Sequence, residues 1–376
     1  TPAINAYNNL AGKGWNLSQN GTVPANSPVT GSVTISGTVE VGEVLTASNT
    51  LADPDGLGTI TYQWNRGTSA ISGATGTTYT LVNADDGNTM TVTASFTDGN
   101  GIPESVTSSA TIIVRNYEVI YTITNSGGAF VLEDYGTVNY IVNWGDGSAL
   151  ETVTTNDKSH TYASSGNYTV KLDVQTASYQ GYYWNKTSRT QITSIEYKTP
   201  TKLGSSGYAA YLGCSNMTSF TAPAAAFSDL TRMDYMFRDC TSLSSFSDAD
   251  TSSCSIFTYT FHNCSSLVTA PTFDYSSCTG LYSTFINCTS LTTFPANALD
   301  STGTFATNAF THAFHNCALT AQSIENILTS LDTNGQSNVR LDINGGTNAG
   351  YSTWSTAAQT ALTNLTNRGW TVYKNN

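Results

Sequence analysis

The sequence predicts a mainly β protein: two β-sandwich domains followed by a solenoid of repeats with an α/β C-terminal cap. Three observations carry that prediction. Cysteines recur 24 residues apart in the aligned segments Met236-Phe-Arg-Asp-Cys240-Thr-Ser-Leu243, Thr260-Phe-His-Asn-Cys264-Ser-Ser-Leu267 and Thr284-Phe-Ile-Asn-Cys288-Thr-Ser-Leu291. Upstream, short alternating apolar runs are broken by Asp- and Gly-containing turns. Downstream, past residue 319, the apolar spacing changes to a helical one.

The first twenty residues duplicate the ending of the chain. Ala6, Asn9, Leu10, Gly14, Trp15 and Asn20 match Ala361, Asn364, Leu365, Gly369, Trp370 and Asn375 at one offset, and Lys13 and Leu17 match Arg368 and Val372 conservatively. Residues 1–22 are therefore expected to repeat the cap, with a helix over 3–11 and a strand over 14–18. Leu10, Trp15 and Leu17 become candidate contacts for another copy, or for the preceding unit of a tandem chain. Residues 23–30 read as a linker.

Residues 31–115 read as a β-sandwich. Runs such as Val33-Thr-Ile35, Ile60-Thr-Tyr62-Gln-Trp64, Met90-Thr-Val92-Thr-Ala94-Ser-Phe96 and Ala110-Thr-Ile112-Ile-Val114 are expected strands. They are separated by Asp53-Pro-Asp-Gly56, Asp85-Asp-Gly87 and Asp98-Gly-Asn-Gly101. The order of Gly31-Ser-Val-Thr-Ile-Ser-Gly37, Val41-Gly-Glu-Val-Leu-Thr-Ala47 and Tyr62-Gln-Trp64 resembles bacterial immunoglobulin-like (Ig-like) surface repeats. That resemblance implies a core role for Trp64. Residues 116–180 carry Val142-Asn-Trp-Gly-Asp-Gly-Ser148, His160-Thr-Tyr162 and Gly166-Asn-Tyr-Thr-Val-Lys-Leu-Asp-Val174. This stretch resembles a PKD domain, a sandwich in which such motifs serve the fold.

Residues 190–319 form the repeat array, beginning near Gln191-Ile-Thr-Ser-Ile-Glu196. A repeat with one Phe, one Asn/Asp-Cys step and one Leu at constant offsets cannot bury its apolar face alone, so copies must stack. Alignment puts Met233, Phe257, Leu281 and Phe310 in one buried column. The Phe-x-Asn/Asp-Cys-x-Ser-Leu pattern resembles the BspA-like branch of leucine-rich repeats, whose members sit on surfaces and bind other molecules. Residues 320–376 read as the cap. Helical spacing at Ile324, Ile327, Leu328 and Leu331 is followed by a strand at Val339–Ile343, a helix over Trp354–Leu365 and a strand at Trp370–Tyr373.

Composition narrows the function. Charged residues make up 11% of the 376, and 14 basic against 26 acidic side chains leave a net charge of −12. Such a chain repels the phosphates of nucleic acid, and no apolar run reaches the length of a membrane-spanning helix. No signal peptide is present, so an export signal would lie outside this sequence. All seven cysteines fall inside the array. Neighbouring coils would bring in-register cysteines to about a strand spacing, close enough for a disulfide. The odd count and the lack of cysteine elsewhere favour a buried ladder of free thiols.

Catalysis and metal binding find little support. His262 and His315 occupy equivalent repeat positions with no recurring third group to orient a Cys-His nucleophile, and no zinc-ligand spacing occurs. Asp53 with Asp55, Asp85 with Asp86, and Asp146 supply hard oxygen atoms suited to calcium. Asp-Gly is also the ordinary chemistry of hairpin turns, and the turn reading is preferred, so no metal and no cofactor is expected. The remaining candidate is a binding face. Tyr235 and Tyr259 share a repeat column with Ser283 and His312, and Tyr282 lies one position earlier in its coil. Tyr235, Tyr259, Tyr282 and His312 are thus the candidate ligand face, for a cell-surface glycan or protein.

The expected function is non-enzymatic: a modular extracellular, cell-surface or virion-surface protein of adhesin or fibre type. A self-assembling filament or sheath subunit joined through residues 1–20 is the alternative. An accessory region of a secreted hydrolase is a third reading, and it lacks a domain to carry the chemistry.

Overall fold

The computed structural model describes residues 26–134, 136–176, 179–181, 187–198 and 203–376. The helix and strand expected within residues 1–22, and with them Leu10, Trp15 and Leu17, lie outside the described residues. The chain divides after Asn116 into two compact units.

In the first unit, alternation and turn chemistry produce two antiparallel sheets. One orders Val33–Ser36, Val44–Asn49 and Thr78–Thr80; the other orders Ser69–Ala70, Thr61–Arg66, Met90–Thr97 and Pro103–Thr107. Met90, Val92, Ala94 and Phe96, at every second position, all face inward with Leu45, Leu81 and Trp64. Trp64 is fully buried, and its indole Nε1–H donates to Gly76 O at 2.9 Å, so the largest ring enters the core with its polar atom satisfied. Residues 110–114 are not the strand expected from their alternation. Thr111 Oγ1 and Ser108 Oγ accept from Met90 N and Val92 N, replacing ladder carbonyls, and Ile112 and Ile113 are left exposed while Val114 is buried. The strand of this region is Pro103–Thr107 instead.

The second unit holds one sheet of seven strands, in the order Glu151–Val153, Tyr140–Asn143, Lys158–Val174, Val119–Leu132, Ile192–Tyr197, Ser219–Thr221, Ser245–Phe246. Its first four strands pair antiparallel and make up the part expected as the second sandwich. A β-bulge between Tyr162 and Ser165 lets the long strand Lys158–Val174 bend against Val119–Leu132. Trp144 and His160 stack with ring centroids 4.7 Å apart, and Tyr162 OH donates to Trp144 O at 2.8 Å. The His160 ring lies 2.7 Å from Asp146 Oδ2. The backbone at Gly145 has φ +79°, and a Cβ there would meet Thr169 O at 2.4 Å, so the Trp-Gly-Asp-Gly turn requires this glycine.

The sandwich and the repeat array, expected as separate domains with a break near residues 180–190, are one body. Ile192–Tyr197 pairs antiparallel with Val119–Leu132 on one side and parallel with Ser219–Thr221 on the other. One hydrophobic core runs from Val119 through the coils to Trp370. The reason is the edge problem: a sandwich edge and the first coil each present unpaired backbone groups, and a shared strand satisfies both.

Successive coils then stack in parallel register, with bridges Ser206 to Arg232 to Ile256, Ala249 to Phe273, and Thr269 to Thr293. The repeated Phe forms a column of parallel rings. Tyr211, Phe237, Phe261, Phe285 and Phe314 follow one another at centroid distances of 5.6 Å. Met233, Phe257, Leu281 and Phe310 are all buried, as the alignment requires. The seven cysteines are free and buried. In four of them the thiol donates to a carbonyl of the preceding coil: Cys240 to Tyr211 O, Cys264 to Phe237 O, Cys288 to Phe261 O and Cys317 to Phe285 O, at 3.0–3.2 Å. Beside them Asn263, Asn287 and Asn316 each donate Nδ2–H to the side-chain oxygen one coil earlier, at Asp239, Asn263 and Asn287.

The array ends in two helices, α1 (Ala321–Asn334) and α2 (Thr356–Asn367), and a parallel pair of strands, Arg340–Ile343 and Thr371–Lys374. Thr320 and Ser355 cap the helices by accepting from Ser323 N and Ala358 N, and Gly335 closes α1 at φ +81°. Trp370 is buried against Phe310, with its indole donating to Gln336 O at 2.7 Å.

Two outcomes follow. Phe261→Ala, which deletes one ring from the column, should cost about 3–5 kcal/mol in denaturant unfolding and raise amide exchange in the coils on both sides. Unchanged exchange in those neighbours would contradict the stacked core. Burial acts to raise Asp146, but hydrogen bonds from Ser148 and His160 outweigh it and hold the carboxylate at about 2. A depressed folded value stabilises above the ordinary 3.8 and is lost as pH falls through about 2. The stability gap between the natural chain and Asp146→Asn should therefore be full at neutral pH and close in acid; a gap independent of pH would refute the assignment.

Candidate functional site

Coil geometry determines which side chains reach solvent along one flank. In each repeat two residues adopt left-handed backbone angles, a conformation that turns their N–H groups toward the next coil. One such column is Asp239, Asn263, Asn287 and Asn316, at φ 59–62°, where Asn and Asp are tolerated because their short side chains bond locally. The other is Ala209, Tyr235, Tyr259, Ser283 and His312, at φ 52–61°. A bulky ring in this region carries local strain of order 1 kcal/mol. Coil register therefore dictates the backbone, while the rings at 235 and 259 are not needed to make it.

These rings form a continuous strip. Tyr235 and Tyr259 stack at 5.0 Å, Tyr208 meets Tyr235 edge-on at 5.8 Å, and Tyr282 meets Tyr259 edge-on at 5.6 Å. The Arg238 guanidinium lies 5.7 Å from the centroids of both Tyr235 and Tyr259, and that of Arg232 lies 5.0 Å from Tyr208. Arg232 is held by a bidentate pair with buried Asp234, at 2.6 and 2.5 Å. All four tyrosines are half-buried. Burial, then the neighbouring Tyr259 and Tyr208, pushes the Tyr235 hydroxyl upward; Tyr259 chiefly does the same to Tyr282. Both stay protonated hydrogen-bond donors at neutral pH. A depression of about 250 Å³ adjoins the strip, lined by Thr258, Thr279, Gly280, Tyr282, Ala306 and Asn308.

Of the residues singled out in sequence, Tyr235, Tyr259 and Tyr282 come together. His312 does not join them, because Ser283 between them is buried and carries no ring. The imidazole sits instead 5.7 Å from that of His315 and 3.7 Å from Asp342, whose carboxylate also takes Arg340. Tyr208, Arg232 and Arg238 were missed. Tyr208 occupies the repeat position of Tyr282 in the irregular first coil, and that equivalence was the available signal.

The thiols do not form a reactive set. Burial pushes Cys254, Cys278 and Cys317 up to about 12, and the others upward as well, so none is a thiolate at neutral pH. Asp85, fully buried, accepts from Arg66, Tyr79 and the Val82 amide, and Asp146 accepts from Ser148 N and faces His160.

With the Trp144–His160–Tyr162 cluster and its glycine turn in view, comparison with protein families is decisive for one stretch. The PKD domain profile matches residues 113–192. Those residues form a PKD domain. No curated protein and no solved structure matches the chain. The PKD match runs to the first residue of Ile192–Tyr197, the strand that this domain shares with the coils. PKD domains occur in extracellular proteins. Among the described residues no helix is long and apolar enough to cross a membrane.

Proposed function

We propose that this chain is a non-enzymatic, modular protein of the cell or virion surface, of adhesin or fibre type. Its stacked coils are a leucine-rich-repeat array of the BspA-like kind, carried on the PKD domain and an Ig-like sandwich as spacers. The supporting observation is the Tyr208–Tyr235–Tyr259–Tyr282 strip with its two guanidinium groups. Half-buried tyrosine rings offer apolar surface to the C–H side of sugar rings, and their hydroxyls offer hydrogen bonds to sugar hydroxyls, at small entropic cost. The rings at 235 and 259 hold left-handed positions that the ring-free Ala209 and Ser283 fill in other coils, which favours selection for a surface over selection for the fold.

The test is retention on an immobilised glycan array. The chain carrying Tyr235→Ser, Tyr259→Ser and Tyr282→Ser together should lose at least about tenfold in affinity with an unchanged melting profile. Undiminished retention would reduce the strip to a structural flank, and release of soluble sugars by the natural chain would end the non-enzymatic reading.

A second reading, a filament subunit joined head-to-tail through residues 1–20, is favoured by the duplicated ending. Trp370 in the C-terminal copy is buried against Phe305 and Phe310, and Trp15, its counterpart in sequence, would need an equivalent apolar surface. Light scattering should then show assemblies that vanish on deletion of residues 1–20; a monomer before and after deletion would exclude it.

A further inference from the structure

We propose that the Ig-like sandwich binds one calcium ion between its Asp53-Pro-Asp-Gly56 and Asp98-Gly-Asn-Gly101 turns. Carboxylate oxygens of Asp53, Asp55 and Asp98 lie within 4.8 Å of one another, a separation that a single ion of that size can span. Two turns far apart in sequence are knitted to achieve this. Gly99 N donates to Gly56 O at 3.1 Å, and a Cβ on Gly99 would come within 2.2 Å of Asp55 O, so only glycine permits the approach.

Each carboxylate has one oxygen engaged by backbone amides. Asp98 Oδ1 accepts from Asn100 N and Ile102 N, Asp53 Oδ1 from Asp55 N, and Asp55 Oδ2 from Ser27 N. The other oxygens are the informative ones. Asp98 is only 5% exposed, yet its Oδ2 is buried without a hydrogen-bond partner, and Asp53 Oδ2 is in the same condition. Among the described residues, no lysine, arginine or histidine pairs with any of the three. Burying carboxylate oxygens that repel one another, with neither donor nor cation, is unfavourable; a bound cation removes both the repulsion and the unsatisfied lone pairs. The contrast with Asp85 and Asp146 is direct, since their oxygens are met by Arg66 and Tyr79 or by Ser148 and His160.

The ligand chemistry selects the ion. An all-oxygen set with no nitrogen or sulfur fits a hard cation rather than zinc or copper. Three carboxylates on two irregular turns, with water completing the shell, suit the flexible six- to eight-fold coordination of calcium better than the strict octahedron of magnesium. Sequence reading took Asp53 and Asp55 as an ordinary hairpin pair; Asp98, supplied by a turn distant in sequence, changes that reading.

The experiment is hydrogen–deuterium exchange on the full chain, in EDTA and across a calcium chloride titration, with magnesium chloride as the second arm. Peptides covering residues 52–58 and 97–102 should gain protection with half-saturation at about 10⁻⁴–10⁻³ M calcium, the range of extracellular modules. Asp98→Asn should lose that response and be at least as well protected in EDTA as the natural chain, because it removes one repelling charge. Asp55→Asn, at a half-buried position, provides the same test should the first variant misfold. Equal protection in EDTA and calcium, or a full response retained by the folded variants, overturns the proposal. An equal response to magnesium overturns the choice of ion.

Discussion

Coil-to-coil register is the constraint on which the second unit depends. Once identical positions lie one above another, three contacts repeat together: Phe rings stack at 5.6 Å, thiols donate to the carbonyl of the Phe or Tyr in the coil before, and Asn side chains chain from oxygen to amide. Each of these is modest alone. Because all three require the same offset, a slip of one residue would break the set at once and leave buried polar atoms unpaired. Cysteine suits the inner position because it is small, apolar enough to bury and still a weak donor.

Stacked coils have two ends, and each end exposes backbone and apolar surface that must be covered. At the C-terminal end α1, α2 and their parallel strands do this, with Trp370 lying over Phe310. At the N-terminal end the PKD domain itself is the cover. Its edge strand Val119–Leu132 pairs with Ile192–Tyr197, which in turn starts the parallel stack. The direction of pairing changes from antiparallel to parallel across one six-residue strand, so the PKD domain is more than a spacer to the coils. It supplies the backbone partner of the strand that starts them.

The candidate face was partly legible in the sequence. Repeat alignment brought Tyr235 and Tyr259 into one column and placed Tyr282 beside it, and these three do meet. It also put His312 in that column, correctly, but a column of equivalent backbone positions is not a continuous surface. Buried Ser283 interrupts it, and Tyr208 extends it from the other end through an offset that the 24-residue period does not preserve. The Asp-rich turns show the same limit. Asp53 and Asp85 look alike in sequence, each paired with a neighbouring acid before a glycine, whereas Asp85 is met by Arg66 and Tyr79 while Asp53 meets Asp98.

By itself the sequence determined the local and the periodic. The core face of Met90–Thr97, the helices and strands of the cap, the Trp-Gly-Asp-Gly turn and the buried column from Met233 to Phe310 all follow from spacing, because side-chain direction repeats with the backbone. Tertiary structure alone decided what depends on which distant surfaces meet. It joined the PKD domain to the coils, replaced the expected strand at residues 110–114 by hydroxyl contacts to Met90 and Val92, and separated His312 from the tyrosines. These outcomes turn on long-range hydrogen-bond partners, and a partner brought close by folding leaves no trace in the spacing of its own segment.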